Sequence, residues 1–160
     1  MVQSPSPIRL TDSYAVSPGA EDRDIPMKIS VIRCSHNPRM DYLQRTLGTL
    51  RSQTPPMTDW ELLLVDNRSD DPLDGRVSLT WQPAGRIVRE DKLELAKARM
   101  HGIAESCGDL IVFADDDNLL QPDYLVQCQG IADPRPKLGV WGARFNLGLN
   151  WSRRSPRGAS

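Results

Sequence analysis

Three cysteines, two histidines, a net charge near zero and no long apolar run are all this sequence offers to several specialised protein classes, and each shortfall excludes something. Cys34, Cys107 and Cys128 are odd in number, widely spaced and form no CxxC pair. Neither a disulfide framework nor a zinc site is supported, and the three read as free thiols in a reducing compartment. A formal net charge of −1 argues against a general basic field, so no nucleic-acid partner is expected. No stretch approaches the ~18 apolar residues of a transmembrane helix, and the amino terminus has no continuous apolar region of a secretory signal. The expected setting is cytoplasmic, peripheral to a membrane at most. Glycine cradles are missing too. No G-x-G-x-x-G follows the first strand and no GxxxxGK[ST] occurs, which removes the usual dinucleotide and P-loop phosphate sites.

What remains is ordinary globular material: 160 residues, 39% hydrophobic and 26% charged, enough for one domain with a real core. Residues 1–26 carry Pro5, Pro7, Pro18 and Pro26 among polar residues without periodicity, and read as a disordered leader. Lys28 to Arg33 alternates and is β-branched, as a first strand should be. Asn37-Pro38 supplies a cap and an N1 proline for a helix, with Leu43, Leu47 and Leu50 at helical spacing through about Gln53 and Pro55-Pro56 as its stop. Trp60 to Val65 is mostly apolar, as a strand covered on both faces should be. A shorter strand is expected at 86–89. Leu93, Ala96, Met100, Ile103 and Cys107 then mark the inner face of a second helix, closed by Gly108. Pro122 sits at a third helix start whose inner face is Leu125, Cys128 and Ile131, and 138–141 is a further strand. This order predicts an α/β chain: a Rossmann-like three-layer α/β/α sandwich with a mostly parallel sheet over 27–149. From Asn150 the chain loses all pattern and reads as an unstructured tail.

The chemistry gathers at strand ends. Leu110 to Ala114 is a short apolar run that enters three consecutive carboxylates, Asp115, Asp116 and Asp117. Two like charges ~4 Å apart repel by about 1 kcal/mol in water and about 4 kcal/mol at an effective dielectric near 20. A hard divalent cation removes that penalty and favours carboxylate plus phosphate oxygens. An acidic turn that merely solvates a strand end accounts for the triplet equally well. Two other strands end in comparable fashion, at Cys34-Ser35-His36-Asn37 and at Asp66-Asn67. In a parallel sheet the three ends converge where ligands of open α/β sheets bind, which favours a nucleotide pocket. A calcium loop fails, because Leu119 and Leu120 stand where ligand and glycine belong. An aspartate-nucleophile phosphotransfer enzyme is less natural, because its nucleophile would follow the first strand.

Taken together, SVIRCSHNPR at 30–39, LQRTLGTLRSQ at 43–53, ELLLVDNRSDD at 61–71, LAKARMHGIAESCGDLIVFADDDN at 95–118 and Pro122-Asp123-Tyr124-Leu125 resemble the inverting family 2 glycosyltransferases of GT-A fold. The resemblance covers about residues 28–132. It implies a nucleotide-sugar donor across the strand ends, with Cys34 and His36 flanking the nucleobase and Asp66 and Asn67 at the base-contacting pair. The second member of that pair is Asn67, which leaves the nucleobase open. Arg99 matches the arginine of the family's A-R-N segment, with Met100 replacing its asparagine. Asp116 would approach the ribose, and Asp115 with Asp117 would hold Mg²⁺ or Mn²⁺ and the diphosphate.

The implied activity is sugar transfer to an acceptor hydroxyl with inversion, in surface polysaccharide or cell-envelope glycan synthesis, the acceptor being a glycan or lipid-linked glycan. The family's general base lies well beyond the DxD segment. After Asp117 the chain holds only Asp123 and Asp133 as carboxylates, and neither matches that motif. No catalytic base is assigned, and the acceptor half is expected to be missing. The alternative is a non-catalytic nucleotide-binding fragment or partner subunit. In either case the uncovered sheet edge and apolar surface are expected to promote self-association.

Overall fold

The computed structural model describes residues 28–115, 118–134 and 139–140. Seven elements follow in order: β1 (Ile29–Ser35), α1 (Met40–Arg51), β2 (Trp60–Asn67), β3 (Gly85–Glu90), α2 (Leu95–Glu105), β4 (Leu110–Phe113) and α3 (Tyr124–Ala132). The four strands form one sheet in the order β3-β2-β1-β4, every described pair parallel. This is the expected α/β architecture. The leader, the tail from Asn150, and Leu138 and Trp141 of the expected last strand lie outside the described residues; Gly139 and Val140 are in no strand.

The two faces of the sheet are built differently. Ile29, Val31, Leu62 and Leu64 point to one face and pack with Leu43, Leu47 and Leu50 of α1 and Leu125, Cys128 and Ala132 of α3. Ile32, Leu63 and Val65 point to the other and pack with Ala98 of α2. A strand covered on both sides must be apolar at every position, which is why β2 is buried along its whole length. The connection β1-α1-β2 runs one way across the sheet, and β3-α2-β4 returns past β2 and β1 to the far side. Strand order therefore reverses between β1 and β4, and their carboxyl ends form the crevice where open sheets bind ligands.

Three local expectations differ from what forms. Asn37 is not a helix cap. It sits at a φ of +46°, its backbone N–H donates to Ser69 Oγ, and its side chain exchanges hydrogen bonds with Asp70, so α1 begins only at Met40. α2 turns a different face inward. Ala98 and Gly102 are its buried residues, whereas Leu93, Leu95 and Met100 are about half exposed. The cause is close approach: a Cβ on Gly102 would stand 2.5 Å from Ile32 Cγ2, so small residues are required where larger apolar ones were expected. In α3, Leu125 and Cys128 are buried as expected, but Ala132 rather than Ile131 completes the inner face. Gln53, buried beyond the end of α1, secures this helix by accepting from the Leu125 N–H through Oε1 and donating to the Gln121 carbonyl. That satisfies a backbone donor that a helix start would leave orphaned.

Candidate functional site

At the ends of β1 and β2, one polar cluster is tied together by main-chain and side-chain hydrogen bonds. His36 Nδ1 lies 2.9 Å from the Asn67 carbonyl, which can only accept, so the proton is on Nδ1 and Nε2 accepts from Asn37 Nδ2 at 3.3 Å. Asn67 Nδ2 donates to the Lys92 carbonyl at 2.7 Å, which fixes the chain leaving β3. Asn67 thus orients His36 and the loop after β3 at once. Cys34 is half-buried and packs on the α2 face against Ile32 and its neighbours, as a small residue at a strand end does.

Asp66 is nearly sealed in, its side chain 2% exposed. Oδ1 accepts the Ser69 N–H, and Oδ2 accepts the Leu73 N–H and an Arg89 Nη1–H at 2.9 Å. Burial pushes its pKa up. The hydrogen bonds from Ser69 and Leu73 and the charge of Arg89 outweigh that and hold it below the ordinary carboxylate value. Most of its acceptor capacity is spent shaping the 66–73 loop. The half-exposed guanidinium of Arg89, which also reaches the Ser69 carbonyl, borders the same strand ends.

Asp115 stands apart from this cluster, at the end of β4. Its side chain is 57% exposed and pairs with Arg99 Nη2 of α2 at 3.0 Å, while that guanidinium lies 5.3 Å above the Phe113 ring. The carbonyl of Asp115 accepts from Arg33 Nη1 at 3.3 Å. Arg33 also lines a cavity of about 250 Å³ with His36, Asn37, Pro38, Arg39, Tyr42 and Leu43, so one side chain borders this cavity and reaches the end of β4. A larger open groove of about 630 Å³ lies instead along the loop into β3, lined from Asp74 to Ile87, and contains none of the expected site residues.

Of the residues expected from sequence, the structure thus places Cys34, His36, Asp66 and Asn67 at neighbouring strand ends, and Arg99 on Asp115. Asp116 and Asp117 lie outside the described residues. Among the described residues no cluster of three metal-ligating groups forms. The donor chemistry nevertheless suits a hard cation: an exposed carboxylate at a strand end, with two more following it in sequence. Sequence reasoning missed Arg33, Arg89 and the Asn37–Asp70 pair. Only Arg33 left a usable signal, a charge at the inward position of an alternating strand.

The comparisons with known proteins agree with this architecture. The profile of the family described as glycosyl transferase family 2 matches residues 30–159. A protein of Sinorhizobium fredii called uncharacterized protein y4gI is 34% identical over 68% of this chain, covering 12% of its own length. Polypeptide N-acetylgalactosaminyltransferase 16 of Mus musculus is 33% identical over 78% of this chain and 22% of its own length. The crystal structure of S. aureus TarS residues 1–349 superposes with a TM-score of 0.61 at 23% identity, over 69% of this chain and 33% of that one. TarS has also been solved with UDP-GlcNAc, and that structure gives a TM-score of 0.59 over the same share of this chain. The chain spans about an eighth to a fifth of the length of these curated relatives. With its parallel sheet, reversed strand order and matched segments, the chain belongs to glycosyl transferase family 2.

Proposed function

We propose that this chain is the donor-binding part of a glycosyltransferase, holding a nucleoside-diphosphate sugar across the carboxyl ends of β1, β2 and β4. One observation carries the reading: the exposed carboxylate of Asp115 stands at the β1–β4 reversal point, at the same carboxyl end of the sheet as the polar cluster of β1 and β2. The nucleobase would lie against Cys34 and His36, near Asn67 and the buried Asp66. The side chain of Asp116 would approach the ribose. Asp115 and Asp117 would hold Mg²⁺ or Mn²⁺, which when bound supplies positive charge to offset the negative charge developing on the departing diphosphate.

The reaction in the complete enzyme would be a displacement with inversion. An acceptor hydroxyl oxygen bonds to the anomeric carbon, the bond from that carbon to the diphosphate oxygen breaks, and a base takes the hydroxyl proton. Arg99 would orient Asp115 and lend charge on the diphosphate side. No described residue of this chain is assigned as the base. A glycan or lipid-linked glycan acceptor of the cell envelope suits the resemblance. Cys34, Cys107 and Cys128 form no disulfide, which suits a reducing, cytoplasmic setting. Among the described residues no helix is long and apolar enough to cross a membrane.

The second reading is a nucleotide-binding piece without turnover of its own, favoured by the lack of an assigned base. Calorimetric titration of UDP, GDP and dTDP with and without Mn²⁺ separates the possibilities, and the TarS structures with UDP and UDP-GlcNAc make UDP the first probe. Metal-dependent binding lost in Asp117→Asn, followed by sugar transfer or donor hydrolysis, supports the enzyme. Binding without turnover supports the second reading, and absence of binding overturns both. Self-association is also expected. Among the described residues β4 is paired on one side only, and Leu93, Leu95, Met100 and Leu119 are each at least half exposed. A monomer throughout a sedimentation series at rising concentration would refute it.

A further inference from the structure

Arg33 is 1% exposed and ranks among the largest fully buried side chains of the protein. It follows Ile29 and Val31 on the α1 face of β1, where packing alone would be served by another aliphatic residue. Burying a guanidinium is costly unless its hydrogen bonds do something an apolar group cannot. Its place in the register shows what that is. Ile32 opposite Phe113 is the last β1–β4 pair, and the Ala114 N–H then donates to the Ile32 carbonyl at 3.0 Å. Arg33 is the next residue of β1, where the β4 chain departs, and its Nη1 donates to the Asp115 carbonyl at 3.3 Å.

From the opposite face of the sheet, Arg99 holds the Asp115 carboxylate at 3.0 Å. Asp115 is therefore gripped by two cations, one on its main chain and one on its side chain, from elements far apart in sequence. β4 has only four residues, and among the described residues pairs with β1 alone. So short a ladder does little by itself to fix the direction in which the chain continues. We propose that Arg33 is a positioning residue: together with the Asn118 N–H it holds the Asp115 carbonyl, and so sets the aim of the Asp115 carboxylate for metal and diphosphate binding. This rests on the donor-binding reading above. Unlike a metal, Arg33 is a cation that cannot dissociate, so it holds the main chain at Asp115 before any ligand arrives.

The test combines amide hydrogen exchange of the ligand-free chain with Mn²⁺ and UDP titrations. In Arg33→Met, exchange in peptides spanning 113–118 should rise about tenfold over wild type while the rest of the sheet is unchanged. Mn²⁺ affinity should fall about 10–100-fold, the range for residues that orient metal ligands from behind. The melting temperature should hold or rise, because an apolar side chain replaces a buried charge. Arg33→Lys keeps the cation without the planar fork and should show the same local change to a smaller degree, so the test survives if Arg33→Met fails to fold. Wild-type exchange at 113–118 in the variants, or a rise spread evenly through the sheet, would make Arg33 a packing residue and overturn the inference. So would variants that bind Mn²⁺ as wild type does. A wild type that binds neither Mn²⁺ nor UDP overturns the donor reading, and with it the purpose assigned to Arg33.

Discussion

Asp66 and Asp115 look alike on paper. Each lies at the carboxyl end of a parallel strand, and each forms an ion pair with one arginine, at 2.9 Å to Arg89 and 3.0 Å to Arg99. Their surroundings separate them. Asp66 is 2% exposed and accepts two backbone N–H groups as well as the guanidinium, so its carboxylate is a fastener for the loop that follows. Asp115 is 57% exposed; the Asn118 N–H turns back onto its carbonyl at 3.2 Å, and among the described residues no backbone N–H reaches its carboxylate. The difference lies downstream. After Asp66 the chain turns Ser69 and Leu73 inward, whereas after Asp115 it runs into two further carboxylates. A strand-end aspartate is consumed as a lock or left open to solvent according to what its own chain does next.

That contrast can be broken experimentally, most forcefully at Asp66. Asp66→Ala would leave Arg89 without its buried partner and orphan two backbone donors, for an expected loss of about 3–5 kcal/mol in urea unfolding. Acid should reach the same lock. Asp66 and Glu61 both titrate below their ordinary values of 3.8 and 4.5 in the folded protein. Their stabilisation is thus complete above those values and is lost as pH falls through the lower folded ones, so the urea midpoint should drop steeply below about pH 4. In an Asp66→Asn background that slope should flatten. Arg99→Gln removes only a half-exposed pair and should cost less than about 1 kcal/mol. Asp115→Asn should be milder still, within about 0.5 kcal/mol of wild type, while Mn²⁺-dependent UDP binding falls more than about tenfold. Equal stability losses at Asp66 and Asp115 would abolish the distinction.

The same polar grammar recurs at the amino end of the sheet with a purely architectural result. Buried Glu61 accepts from Ser30 Oγ, the Cys107 N–H and Arg86 Nη1, and Arg86 also donates to the Glu105 carbonyl. Burial raises the pKa of Glu61, and these donors lower it further than burial raises it. This knot ties the loop before β4 to β1 and β2, and it lies at the opposite end of the sheet from the candidate site.

How much of this could be read beforehand depended on the range of the interaction. The elements were legible because apolar runs, β-branched residues and prolines act locally, and the order of those runs implied a parallel sheet. The buried face of α2 was not, because Gly102 is inward only by virtue of how closely the helix approaches Ile32. Asn37 carried the signature of a helix cap, yet its bonds go to Ser69 and Asp70, a partnership set by tertiary contact rather than by the adjoining chain. For the candidate site, the sequence marked which strand ends are polar. It could not show that Asp66 would be consumed by its own loop, since Ser69 and Leu73 contribute backbone groups that no residue pattern reveals. Arg33 went unnoticed for the opposite reason: its charge was visible, but its meaning depended on where β4 departs.

The central position of β1 has a consequence for how the protein comes to be. Its partner β2 begins about 25 residues after β1 ends, but β4, which pairs with its other edge, closes only at Phe113. At ~5–20 residues per second, a ribosome takes roughly 4–16 s to travel from Ser35 to Phe113. Throughout that interval the Ile29–Ile32 edge has no native neighbour and offers its backbone to any other extended segment. The last described strand to arrive both completes the candidate site and closes this edge of β1, so defects in β4 are expected to show first as poor yield and only afterwards as lost binding.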